Sequence, residues 1–568
     1  MCAYQRVETY SNDSSYYEVL GRNLARDRAY VFNFKPHTRY PPGFPAVLAL
    51  SASVSGGGYV PSILLMPLFG VLGLLASLAL LEHDIDEQDG WMVAAIACVW
   101  LASSPQFFRY STERVLSDLP YFFASTAALL LAVRLGQAGR AGGAGRIGLT
   151  VLGLSVSVAA AVMFRAAGIA LVAAGLAALV TGGRRLPWRS IVGLSVAITA
   201  GGAAEAFWLQ WALPRASQDW PGEYMDSYIT QMMMKDPHRP GLGHATIADV
   251  VSRMGHGAVL QMARFSELVT RAPWIDPLWF SPFVIIPLVL VVAGLVDSIR
   301  QGRSTVVVWY VVFYLTLYFL WPYDEGTRFV LPIFPLLFLM AWRGVRLTHR
   351  LLKARRVRPS LVLAVLAVVS VAALGSCRLE PMPGSQAALS VAFWVAALGA
   401  GIASQVGWVG GLSRVGGERG LGRWLGVPIL VLSIGIGLAE QARITVANLK
   451  TGPASPTQAR TIGVAGWLSM QSRDPVVMAQ QTAILHRLTG LRMVSFPVVS
   501  NDAAGLIART IRQHGVSYLV VADPGPGEDD YYHPTEQERF RALVSVQPDC
   551  CQLAYAAGGY EVYRVETR

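Results

Sequence analysis

Residues 58–81 read GYVPSILLMPLFGVLGLLASLALL, a run without one charged side chain. As an α-helix it rises about 36 Å at 1.5 Å per residue, enough to cross a hydrocarbon core of about 30 Å. Lipid offers backbone N–H and C=O groups no partner, so a spanning segment must be a helix or part of a closed barrel. Barrel strands are about ten residues long and alternate in polarity; this run is longer and continuously apolar. It predicts a transmembrane helix.

Outward from this run, similar blocks fall at 91–108, 119–135, 147–163, 166–181, 190–212, 279–298, 304–321, 327–346, 360–377, 384–409 and 424–442. Together they make about twelve spans. The whole chain of 568 residues is 53% hydrophobic and 15% charged, with a mean hydropathy of +0.42. The expected fold class is mostly α, a polytopic helical membrane protein. Only Arg165 and its neighbours separate 147–163 from 166–181.

The net charge of +11 would suit nucleic acid if it formed one surface, but it is dispersed among short connections, so no nucleic-acid partner is expected. Arg140 and Arg146, then Arg184, Arg185 and Arg189, then Arg300 and Arg303, occupy alternate connections. Arg343 to Arg358 and Arg414 to Arg423 continue the pattern. Basic loops stay in the cytoplasm, which puts residues 1–57, 109–118, 213–278, 322–326, 378–383 and everything after about 443 on the other side. The acidic connection EHDIDEQDG at 82–90 reads as a solvated cytoplasmic turn, since acids contribute little to orientation. The expected organisation is an external first loop with juxtamembrane helices (1–57), a transmembrane domain (58–445) with a large external loop (213–278), and an external domain (446–568). The location is the inner (plasma) membrane. An external N-terminus needs something to carry it across, so a first transmembrane helix upstream of Met1 is expected.

The last part of the chain has globular composition. Strands at 476–478, 492–496 and 516–522 alternate with helices at 482–488 and 503–514, and LAYAAGGYEVYRV (553–565) closes as a hairpin. That alternation predicts a small α/β domain. Gly525 and Gly527 are interrupted by prolines and do not form a phosphate-cradling loop. Cys550 and Cys551 are adjacent, a strained pairing, and read as two unrelated thiols. His238, His244 and His256 lack ligand spacing, so no metal or cofactor is expected.

Residues 11–50 carry the candidate chemistry: SNDSSYYEVLGRNLARDRAYVFNFKPHTRYPPGFPAVLAL. Read locally, Asp13 is a good N-cap type for a surface juxtamembrane helix. Arg165 and Arg328 lie at external span ends, against the positive-inside bias. Either they snorkel to the interface or they bind an anion, for which guanidinium geometry suits phosphate.

An acid, a tyrosine-bearing helix and the Tyr40-Pro41-Pro42-Gly43-Phe44-Pro45 turn together resemble the first external loop of GT-C glycosyltransferases. These are polytopic enzymes related to protein O-mannosyltransferases and the aminoarabinose transferase of lipid A. Ser117-Asp118-Leu119-Pro120, Phe164-Arg165-Ala166-Ala167-Gly168 and Thr327-Arg328-Phe329-Val330-Leu331-Pro332 follow in the order that family shows. The resemblance implies an inverting transfer from a polyprenyl-phosphate sugar to a lipid, polysaccharide or protein hydroxyl, with membrane lipid around the enzyme. Asp13 would be the base, and Asp118 or Glu113 would position the acceptor. Arg328, Arg165, Arg39 and Lys35 would hold the donor phosphate. The alternative is a secondary transporter or flippase, which about twelve spans also suit. Such proteins show two related halves with charged or broken helices near the midplane, whereas here ionisable residues gather at one face.

Overall fold

The structure is a computed structural model. It describes residues 12–55, 59–84, 90–141, 144–182, 186–215, 228–237, 242–270, 282–302, 305–354, 435, 437–443, 445–446, 456–471, 474–497, 503–522 and 536–566. The expected spans 360–377 and 384–409, and most of 424–442, lie outside these residues.

Two helices come first, α1 (Asn12–Asp27) and α2 (Gly43–Ser55), joined by the hairpin β1 (Val31–Phe32) and β2 (Lys35–Pro36). Then follow α3 (Tyr59–Asp84), α4 (Gly90–Ala102), α5 (Pro105–Thr112), α6 (Asp118–Ala141), α7 (Ala144–Phe164), α8 (Ile169–Gly182) and α9 (Trp188–Ala212). The bundle continues with α10 (Tyr228–Met233), α11 (Ile247–Thr270), α12 (Pro282–Gln301), α13 (Thr305–Leu320) and α14 (Phe334–Lys353). Among the described residues, five helices are long and apolar enough to cross a membrane, and α8 and α13 are shorter apolar helices. The chain is a multi-pass helical membrane protein.

Two expectations need correction. The block 91–108 is not one straight span: α4 and α5 meet at a 63° bend. Pro105 opens α5; lacking an N–H, proline is tolerated at a helix start and not in its interior. Asp84, expected in a solvated turn, is buried at 5% exposure. Its carboxylate pairs with Arg343, whose Nη1 also donates to Ser298 Oγ at 2.9 Å. A buried acid requires such a partner, and apolar periodicity alone could not assign one.

Helices α12 and α14 touch backbone to backbone. A Cβ on Gly294 would run into the Met340 carbonyl, and one on Gly344 into the Leu290 carbonyl. Small residues allow this approach between membrane helices. Gly344→Val therefore separates the pair, and a thermal midpoint in detergent falls by the equivalent of about 1–3 kcal/mol or more. An unchanged midpoint would show that the contact is dispensable.

The tail folds as expected. Strands β3 (Val476–Ala479), β4 (Arg492–Ser495), β5 (Val516–Ala522), β6 (Cys551–Ala557) and β7 (Tyr560–Val565) form one sheet in the order β4-β3-β5-β7-β6. Pairing is parallel in β4-β3-β5 and antiparallel in β5-β7-β6. Alternate residues face opposite sides. Val477, Ala479 and Val520 pack with Val464 and Leu468, while Met478, Leu519 and Val521 pack with Ile507 and Ile511.

This domain grips the first loop. Glu18 of α1 pairs with Arg487 at 2.6 Å, both side chains 7% exposed. Asn33 and Phe34, both in the left-handed region at φ 50° and 65°, make the tight β1–β2 turn. Asn33 accepts from Met493 N at 2.8 Å and donates to Met493 O at 2.6 Å. On its other side α1 lies against α2, where a Cβ on Gly21 would come within 2.8 Å of Leu48 Cβ. The helix that carries Asp13 is thus held between the bundle and the sheet domain.

Candidate active site

Asp13 sits in the first turn of α1, where the helix dipole favours an acid. The turn after β2 reaches over it. His37 Nε2 accepts from the Tyr40 N–H at 3.1 Å, the His37 ring stacks on Tyr40, and the Tyr40 hydroxyl donates to Asp13 Oδ1 at 2.6 Å. Burial first, and Arg39 second, depress His37 to about 3, so the ring stays neutral and can accept. Burial foremost pushes the Tyr40 phenol up, which keeps it a donor.

Asp118 is the first residue of α6, ahead of Pro120. Arg165 stands between α7 and the turn Ala166–Gly168 with extended backbone, φ −156° and ψ 137°. Arg328 ends the turn Gly326–Arg328, which Gly326 enters at φ 65°. A second turn, Leu331–Ile333, with Pro332 near its start, leads into α14.

These segments meet in one charge network. Arg328 Nη1 reaches Asp13 Oδ2 at 2.6 Å and Glu325 Oε2 at 3.1 Å, and its Nε donates to Asp118 Oδ2 at 2.8 Å. Asp118 Oδ1 pairs with Arg165, whose Nε donates to the Tyr318 hydroxyl at 3.1 Å. The alternation Arg165–Asp118–Arg328–Asp13 joins residues as far as 315 positions apart. Burial raises the Asp13 pKa, but Arg328, then Arg39, and hydrogen bonds from Tyr40 and Arg328 outweigh it, holding the carboxyl well below its usual range.

A cavity of about 310 Å³ opens beside the network. Asp13, Arg39, Arg165, Glu325 and Arg328 form its charged wall; Trp208, Leu209, Ile229, Leu317 and Trp321 are among its apolar lining. Arg39 lies 5.0 Å over the Tyr40 ring, and its buried Nε has no hydrogen-bond partner among the described residues. Helix α10, from the loop 213–278, brings Tyr228, Ile229 and Met232 into the lining. Arg253 of α11 steadies α10 by donating to the carbonyls of Met232 and Met234 at 2.7 and 2.5 Å.

The structure thus gathers Asp13, Asp118, Arg165, Arg328 and Arg39. Asp118 differs from its expected part. At 1% exposure, both its oxygens are engaged by arginines, so it holds those cations instead of facing an acceptor. Glu113 and Lys35 are not brought to the cavity. Glu113 caps α5, its N–H bonded to Arg109 O at 2.9 Å, and the buried stretch Val115–Ser117 intervenes before Asp118. Lys35 is committed to the β1–β2 hairpin, paired with Phe32. Tyr40 was quoted from the sequence only as part of the 40–45 turn, and Tyr318, Glu325 and Glu205 were not singled out; of these three, Glu205 carried a signal there as an acid inside the apolar block 190–212.

No protein-family model and no curated protein sequence matches the chain. The structure is similar to crystal structures of ArnT from Cupriavidus metallidurans, over 98% of this chain and 94% of that chain at 15% identity. The TM-score is 0.52 for the form bound to undecaprenyl phosphate and 0.50 for the apo form. The archaeal oligosaccharyltransferase AglB from Archaeoglobus fulgidus, in complex with an inhibitory peptide and a dolichol-phosphate, gives a TM-score of 0.48. That match has 12% identity over 99% of this chain and 72% of that chain. The chain therefore carries the fold of ArnT over nearly its whole length.

Proposed function

We propose that the protein is a glycosyltransferase that moves a sugar from a polyprenyl-phosphate donor to an acceptor hydroxyl, with inversion, on the non-cytoplasmic face of the inner membrane. The observation that carries this reading is the meeting of three guanidiniums, Arg39, Arg165 and Arg328, with the Asp13 carboxylate in a cavity with a largely apolar lining. A lipid phosphate needs both kinds of surface: cations for its head and hydrocarbon for its chain. The similar ArnT structure with bound undecaprenyl phosphate supports that lipid class.

In this reading the acceptor oxygen attacks the anomeric carbon, and the bond from that carbon to the phosphate oxygen breaks. Asp13 takes the hydroxyl proton, a task that requires hydrogen-bond reach. The departing phosphate gains negative charge, which prepositioned arginines stabilise without reorganising. The acceptor is a lipid, polysaccharide or protein.

Arg39→Met tests the donor site without breaking the Arg165–Asp118–Arg328 pairs. With the protein in nanodiscs, undecaprenyl phosphate binds about tenfold more weakly or worse, since one charged hydrogen bond contributes about 1.5–3 kcal/mol and 1.4 kcal/mol is about tenfold. Unchanged binding would count against the site. In proteoliposomes, labelled polyprenyl-phosphate sugar yields a glycosylated product; accumulation of the substrate inside without product would favour the transporter or flippase.

A further inference from the structure

Helix α9 buries one stripe, Gly201, Trp208 and Ala212. Glu205 falls on that stripe, four residues after Gly201 and three before Trp208, the spacing of one helical face. It lines the same cavity as Asp13, Arg39 and Arg328. Ala212, at the end of α9, lies seven positions further on, about 10 Å along the axis. The carboxylate is thus set inside an apolar segment. Its Oε2 is shielded from solvent and has no hydrogen-bond partner among the described residues. Asp13 and Glu325, the other acids of the lining, both pair with Arg328.

An ionisable group within a membrane helix is costly and as a rule faces a partner or a functional cavity. A buried polar atom without a protein partner calls for a ligand that supplies one. An ionised carboxylate only accepts hydrogen bonds, so Glu205 has no bond to offer a phosphate oxygen or a hydrocarbon chain. It suits a group rich in hydroxyl donors. We infer that Glu205 binds hydroxyls of the donor's sugar and so distinguishes a glycosylated polyprenyl phosphate from the bare lipid, an inference that rests on the glycosyltransferase reading above. The cavity then divides its work: Arg39, Arg165 and Arg328 recognise the phosphate, and Glu205 of α9 reads the sugar attached to it.

The test compares binding of bare undecaprenyl phosphate with that of undecaprenyl phosphate carrying a single hexose or pentose, using the full chain in nanodiscs. The wild type prefers at least one glycosylated lipid by about tenfold, the worth of a hydrogen bond to a charged group. Glu205→Leu, an apolar residue suited to a membrane helix, abolishes the preference and leaves bare-lipid binding within about twofold. Glu205→Gln keeps part of it, because the amide oxygen still accepts. Retention of the full preference in Glu205→Leu overturns the inference, as does a wild type that binds every lipid alike. An equal loss of bare and glycosylated lipid in Glu205→Leu also overturns it, by revealing a structural role. A wild type that fails to bind even bare undecaprenyl phosphate sinks the glycosyltransferase reading itself.

Discussion

Asp13→Asn lowers the rate of sugar transfer by about 10²–10⁴-fold, the usual worth of a positioned general base, and leaves undecaprenyl phosphate binding within a few fold of the wild type. Asparagine retains the shape, and its oxygen can still accept the Tyr40 hydrogen bond now made to Asp13, but it cannot take the acceptor's proton. The ionisation of Asp13 also sets a pH expectation. Burial alone would raise this carboxyl, yet Arg328 and Arg39 hold it well below its usual range. A depressed pKa means that the base is ionised above that range and lost only as pH falls through the lowered value. The transfer rate therefore stays level from pH 8 down to about pH 5, above the unperturbed carboxylate value of about 3.9. Measured single-turnover rates in liposomes decide it: full activity in Asp13→Asn would eliminate this base, and a rate that halves between pH 7 and 6 would point to a different titrating group.

Asp118→Asn has the second largest effect, and it acts through the arginines. Asp118 is 1% exposed and bridges Arg165 to Arg328. Removing one partner of a buried ion pair leaves uncompensated charge and costs about 3–5 kcal/mol. Arg328 keeps Asp13 and Glu325, so the burden falls on Arg165, whose other hydrogen bond is to the Tyr318 hydroxyl. The expected result is a marked drop in thermal midpoint in detergent, together with loss of transfer as Arg165 leaves its place. Equal stability of Asp118→Asn and the wild type would show that the bridge is not what holds the two cations.

Much of the architecture was legible because membrane insertion imposes it locally. A continuous apolar run such as 58–81 has one solution in lipid, and α3 follows it closely. The alternation of strands and helices in the tail was equally direct, since β3, β4 and β5 each show their apolar character within a few residues. The bend at Pro105 was less visible, because 91–108 is apolar enough to pass as a single span. Asp84 was misread for a related reason: its acidic neighbours suggested solvent, and its partner Arg343 is 259 positions away.

By itself, the sequence determined that the chain crosses a membrane repeatedly, that a small α/β domain follows, and that Asp13, Asp118, Arg165 and Arg328 are the charges to watch. The first two follow from apolar run length and strand periodicity, and Arg165 and Arg328 stand out as charges at external span ends, whereas Asp13 and Asp118 were marked by the resemblance to GT-C glycosyltransferases. Only the tertiary structure decided what each charge touches. It paired Asp118 with two arginines, left Glu113 and Lys35 outside the cavity, brought Tyr40 onto Asp13, and set Glu205 in the cavity with its Oε2 unpartnered among the described residues. The physical reason is that the worth of a buried charge depends on what lies within about 3 Å of it. For Arg328 and Asp13 that neighbour comes from 315 residues away.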